Sequence, residues 1–311
     1  MMFPLSFRAA LLGFTLALSA AGALAQQVAP AAADANADWR RTIASTLGKP
    51  GAEMPGGIYR VALPRTDLKV TLDGVELRPG FALGSWVAFH PHGQELTVMG
   101  DLVLLETEVA PVMRRLAENG LEVTALHNHL LRAQPTTMYL HVAGQGDAAK
   151  LATALRTALQ ESRTPLQGAS GPTGSQSVEG VDTAAFARAL GREGQATGGV
   201  YAVSVPRAET IREHGAEVPP AMGLGTAINL QAAGSGKGAI TGDFVLTADE
   251  VVPVQRALVE NGIEVTAIHT HMIHEEPRIF FMHFWAVDDP EKLGRGLHAA
   301  LDRTNSTRAA R

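Results

Sequence analysis

The sequence predicts an α+β protein of two tandem homologous domains, each a mainly antiparallel sheet with helices on one side in the split βαβ, ferredoxin-like order. A pseudo-twofold pairing of the copies is expected. The first observation behind this is internal repetition. "GIYRVALPR" at 57 returns as "GVYAVSVPR" at 199, and "AENGLEVTALHNH" at 117 returns as "VENGIEVTAIHTH" at 259, both at an offset of 142 residues. Gly100-Asp101 and Gly242-Asp243, Pro111 and Pro253, Pro135 and Pro277, and His141 and His283 keep the same offset. Solenoid repeats run about 20 to 50 residues, so this period is duplication of a whole domain. The second observation is the Gly-, Ser- and Pro-rich stretch "QGASGPTGSQSVEG" between the copies, which reads as a linker. The third is the order of elements within a copy.

Each copy opens with a short helix followed by strands. "ELTVMGDLVLL" then has strand patterning, and "EVAPVMRRLAENG" has helical spacing, with Pro111 expected in the first turn and Asn119-Gly120 at the stop. "LEVTALHNHLL" and "TTMYLHVAG" read as strands joined by a Pro-containing turn, and "DAAKLATALRTALQE" as a closing helix. The expected domains are 39–161 and 182–305, with a linker at 162–181 and a tail at 306–311.

Ahead of the first domain, Arg8 precedes the apolar run "AALLGFTLALSAAGALA", and Ala23-Leu24-Ala25 supplies small residues for cleavage. Residues 1–25 therefore read as a signal peptide and 26–38 as a flexible N-terminus, which implies a periplasmic or secreted protein without an integral membrane anchor after cleavage. The chain has no cysteine, which excludes disulfides, thiolate metal ligands and an acylated N-terminal cysteine. Its net charge of −5 leaves no basic stripe, so nucleic acid is not an expected partner. Oligomeric state has no signature here.

The histidines carry the chemical signal. Nine of the 11 lie in or beside a few short segments. His127 and His129 share a face if the segment is a strand, as do His269 and His271. If the hairpin turn centres near Ala133-Gln134, His141 lies opposite His127, and His283 lies opposite His269. Three imidazoles so placed match the ligand number of a zinc site with an open position, and imidazole suits zinc or copper. The expected ligand sets are thus His127, His129 and His141, and His269, His271 and His283. They stay separate or, if the two sheets face each other, merge into one composite site.

Other residues join the candidate site. Copy one adds His90 and His92 in "FHPHG", and copy two adds His274, Glu275 and Glu276 in "HTHMIHEEP". Asp101 and Asp243 follow glycine in a strand and are candidate acceptors for an imidazole N–H, or ligands themselves. Glu275 and Glu276 are the candidate general bases should the centre activate water. The Gly-rich "AAGSGKGAI" is not a phosphate loop, because Gln231 stands where its first Gly belongs. Two rival readings use the same residues. One is a metal-free module for a cell-envelope ligand, a glycan or peptide, built on "RIFFMHFW". The other is a purely structural histidine network joining the domains.

At "NGLEVTALHNH" and "NGIEVTAIHTHMIHEEPRIFFMHFWA" the chain resembles a family of exported bacterial proteins named for the mycobacterial lipoproteins LppY and LpqO. The resemblance covers about residues 40 to 160 and 182 to 305. It implies export but no reaction, since the domain is one of unknown function. The missing cysteine departs from the lipoprotein members and implies an unanchored version.

Overall fold

The computed structural model describes residues 33–167 and 177–307. The expected signal peptide, the middle of the expected linker and the end of the tail lie outside the described residues. Among the described residues, no helix is long and apolar enough to cross a membrane.

Copy one runs α1 (Ala33–Leu47), β1 (Ala52–Met54), β2 (Ile58–Pro64), β3 (Thr71–Leu72), β4 (Val75–Glu76), α2 (Pro79–Ala82), β5 (Gly84–His92), β6 (Glu95–Leu105), α3 (Glu106–Glu118), β7 (Glu122–His127), β8 (Thr137–Gly146) and α4 (Ala148–Leu159). Copy two repeats this as α5 (Thr183–Leu190), β9 (Gln195–Thr197), β10 (Val200–Pro206), β11 (Arg212–Glu213), β12 (Ala216–Glu217), a 3₁₀ turn (Pro220–Met222), β13 (Gly225–Gly234), β14 (Lys237–Thr247), α6 (Ala248–Glu260), β15 (Glu264–His269), β16 (Glu275–Glu276), β17 (Ile279–Asp288) and α7 (Pro290–Leu301). Helix α1 starts inside the stretch expected to be flexible up to residue 38.

Each copy is an α+β domain with a six-stranded antiparallel sheet, ordered β1-β2-β5-β6-β8-β7 in one and β15-β17-β14-β13-β10-β9 in the other. Strand β8 separates β6 from β7 and pairs antiparallel with both, so β6-α3-β7 is a split βαβ unit. The strand beside β6 is β5, which precedes the unit in sequence.

Side-chain alternation assigns the faces. Leu140 and Val142 of β8 join the core formed with α1, α3 and α4, whereas Tyr139 belongs to a separate cluster that includes Val200 and Trp285 of copy two. Helix α3 begins at Glu106, so Pro111 falls in its second turn and not in the first. Glu108 reaches back to accept the Leu105 N–H at 2.9 Å and binds the fully buried Arg65 at 2.7 Å. Arg207 and Glu250 repeat that pair in copy two at 2.7 Å. The Pro-Arg that ends each "GIYRVALPR"-type segment is thus a buried anchor between sheet and helix.

The helix-free faces of the two sheets turn toward each other. The segment between β2 and β5 of copy one crosses to the other sheet, where Asn229 Nδ2 donates to Phe81 O at 3.1 Å and Gln231 Nε2 donates to Glu76 O at 2.9 Å. The corresponding segment of copy two packs Ile211, Val218 and Met222 against Ile58 and Ala88. Reciprocal packing of this kind is what a duplicated pair of self-complementary faces produces.

Candidate metal centre

Strands β7 and β8 pair with an irregularity between Val123 and Ala125, and their register sets where every histidine lands. That register places Ala125 opposite His141 and His127 opposite Tyr139. In copy two, Ala267 faces His283 and His269 faces Phe281. The expected cross-strand pairs, His127 with His141 and His269 with His283, are therefore displaced by two residues. His129 and His271 also lie past the ends of β7 and β15, which stop at His127 and His269.

Two hydrogen bonds draw these extensions across the domain boundary. Thr124 Oγ1 donates to His271 O at 2.7 Å, and Thr266 Oγ1 donates to His129 O at 2.6 Å. Each threonine and the carbonyl it binds belong to different copies, and the offset of 142 exchanges the two bonds. His127 and His269 consequently stack on each other, with ring centroids 3.5 Å apart. His129 stacks on His283 at 3.7 Å, and His141 on His271 at 3.6 Å. Tyr139 closes over His129, and Phe281 over His271, both at 3.4 Å.

The six imidazoles thus form one composite cluster. His127, His141 and His271 bring their ring nitrogens within 4.8 Å of one another, and so do His129, His269 and His283 together with His127. Compared with the expected sets, His129 and His271 have changed places, so each trio takes two histidines from one copy and one from the other. A carboxylate oxygen of Asp101 lies within 4.8 Å of nitrogens of His129 and His141, and one of Asp243 within the same reach of His271 and His283. Each aspartate is therefore within reach of both trios. These groups are positioned to bind a metal ion.

Burial and charge favour the same use. The Nε2 atoms of all six histidines are buried without a hydrogen-bond partner, as is Asp101 Oδ1. His283 donates from Nδ1 to Gly242 O at 2.9 Å, which leaves its Nε2 as a bare lone pair. Gly242 is required there, because its φ is +157° and a Cβ would stand 1.9 Å from Ala227 O. Burial, with the His269 imidazole, pushes His127 down to about 3, and burial takes His269 down to about 4. Burial and then mutual repulsion hold His129, His141, His271 and His283 well below the usual range. All six are neutral at physiological pH, the state in which imidazole is a ligand. Burial, reinforced by Asp243, raises Asp101 to about 8, and burial raises Asp243 to about 7. A cation between them would hold both ionised.

One side of the cluster opens on a cavity of about 1480 Å³ between the sheets, whose lining includes His129, His141, His271, His283, Asp101, Asp243 and Arg60.

Residues 41–161 and 184–303 each match the family described as Domain of Unknown Function (DUF1259). The chain belongs to that family. No curated protein matches it. Among solved structures, a trimeric bacterial microcompartment shell protein, PduB, is 13% identical over 82% of this chain and 89% of its own, with a TM-score of 0.24. EtuB from Clostridium kluyveri is 9% identical over 81% and 88%, with a TM-score of 0.20. Scores this low carry no argument for fold or function.

Five other expected site residues of this DUF1259 pair do not join the cluster. Glu275 is buried elsewhere, accepting the Ile279 N–H at 3.2 Å and pairing with Arg278, and its strand β16 pairs with β11. Glu276 is exposed opposite Arg212 in the same pairing. Neither lines the cavity or belongs to the imidazole groups. His274 lies against His214 with the rings tilted at 48° and centroids 4.5 Å apart, and His92 sits exposed at the β5–β6 turn opposite Glu95. His90 lines the cavity without reaching the imidazole groups. Sequence reading also missed Arg60, which lines the cavity although Ala202 stands at the same place in copy two. Comparing the copies for what differs would have found it.

Proposed function

We propose that the protein is an exported metal-binding protein with a two-ion centre of zinc or copper at the domain interface. His127, His141 and His271 hold one ion, and His129, His269 and His283 hold the other. Asp101 and Asp243, each within reach of a histidine of both trios, would supply carboxylates to the ions or accept imidazole N–H groups. The observation that carries this is the set of six buried Nε2 atoms without partners. A buried polar atom left unpaired costs roughly 1 to 3 kcal/mol, and six in one place are unsustainable unless something binds them. A structural histidine network would satisfy these atoms among themselves, and it does not.

An all-imidazole set suits zinc and copper, and the absence of cysteine removes the thiolates a high-affinity Cu(I) site would use. Should the centre activate water, the carboxylates within reach are Asp101 and Asp243. The sequence resemblance to the LppY and LpqO family, with the N-terminal apolar run, supports periplasmic or secreted placement.

The test is elemental analysis of untagged protein purified from its native compartment. About two equivalents of one transition metal per chain are expected, with His129→Ala and His271→Ala each losing at least one. Protein that carries no metal and binds neither zinc nor copper at micromolar concentration would overturn the assignment.

A further inference from the structure

The cavity is far larger than the metal centre needs. At about 1480 Å³ it exceeds the roughly 300 to 1,000 Å³ of an ordinary small-molecule site. Its symmetry is also broken at one place. In copy one, Arg60 lies across the Trp86 ring with its guanidinium carbon 4.0 Å from the centroid. In copy two, Ala202 stands at the position of Arg60. Ala227, opposite Asp243 as Trp86 is opposite Asp101, stands at that of Trp86. Duplication has therefore left one wall with a cation on an aromatic platform and the facing wall with space.

Arg60 is underused by the protein itself. Among the described residues its one hydrogen bond runs from Nη1 to Ala221 O at 3.3 Å, and it has no ion pair within 4.0 Å. A guanidinium offers five donors in a planar fork that matches an oxyanion, and stacking on Trp86 keeps that fork oriented. Burial lowers it to about 10, opposed by Asp101 and Asp243, so it remains charged at neutral pH. Part-exposed apolar side chains in the lining, Met54, Ala82 and Trp86, suit an organic body rather than a bare ion.

We propose that the cavity binds an organic molecule bearing an oxyanion, a carboxylate or phosphate, whose charged group lies between Arg60 and the histidine wall. This rests on the metal reading for one of its two anchors and on Arg60 for the other. Metal ions held at the histidines would neutralise Asp101 and Asp243, so the aspartates would not oppose it.

The experiment is calorimetric titration of phenyl phosphate into the wild type, Arg60→Ala and Arg60→Lys, with metal per chain measured on each sample. Wild-type protein is expected to bind phenyl phosphate. Arg60→Ala should weaken it at least about tenfold with metal content unchanged, and Arg60→Lys should keep part of the affinity. Metal-loaded wild type that does not bind phenyl phosphate, or Arg60→Ala that binds it equally well, would overturn the proposal. Protein that carries no metal and takes up neither zinc nor copper, yet binds phenyl phosphate through Arg60, would refute the metal reading and uphold the anion site at its Arg60 anchor.

Discussion

Acidifying the metal-free protein should destabilise it steeply from about pH 6.5 downward, before ordinary carboxylates begin to titrate. In the unfolded chain the six histidines of the cluster titrate near 6.5, and at pH 5.5 they carry about 5.5 protons among them. In the fold they carry almost none, with His127 at about 3, His269 at about 4 and the other four well depressed. Their stabilisation is fully present above pH 6.5 and is lost as pH falls toward those folded values. Asp101 at about 8 and Asp243 at about 7 act in the opposite sense. They stabilise the fold at low pH and cease to as pH rises through those values, which returns about two protons to the folded side at pH 5.5. The net uptake on unfolding is about 3.5 protons, and at 1.36 kcal/mol per proton per pH unit the slope is about 5 kcal/mol per pH unit. A domain pair stable by roughly 5 to 15 kcal/mol would exhaust that within about one to three units below pH 6.5. Urea midpoints followed by circular dichroism on chelator-treated protein, from pH 7.5 to 4, measure this. A midpoint unchanged between pH 7 and 5 would refute the buried, neutral imidazole cluster.

Three further outcomes follow from single contacts. Gly242→Ala, whose Cβ would meet Ala227 O at 1.9 Å, should cost about 3 kcal/mol or more in urea unfolding, and wild-type stability in that variant would contradict the strand geometry. Arg65→Ala strands the buried Glu108 carboxylate and should cost about 3 to 5 kcal/mol, checked by the same denaturation curves. Glu275→Gln should lower stability modestly and leave metal per chain unchanged, because the carboxylate serves Ile279 and Arg278; loss of metal in that variant would return Glu275 to the site.

Much of this was legible in the sequence because duplication writes the same instruction twice. The offset of 142 residues marked both copies, and the order of strand and helix patterns marked the split βαβ unit. The six central histidines stood out by type and repetition. Their grouping did not, for a physical reason: the loop between β7 and β8 sets a register in which His127 faces Tyr139 and not His141, with a one-residue shift at Val123 to Ala125, and side-chain periodicity detects neither. The exchange of His129 and His271 depends on Thr124 and Thr266 reaching across the domain interface, a contact with no local sequence signal. Glu275 misled because proximity in sequence to His274 says nothing of β16 pairing with β11, which takes it away.

The central claim is that the two copies build one metal centre by exchanging a histidine each. Anomalous diffraction from crystals of the metal-loaded protein, collected at the zinc and copper absorption edges, tests it most directly. Two peaks per chain are expected, one bounded by His127, His141 and His271 and the other by His129, His269 and His283. Peaks enclosed by histidines of a single copy, or no peak between the sheets, would contradict it.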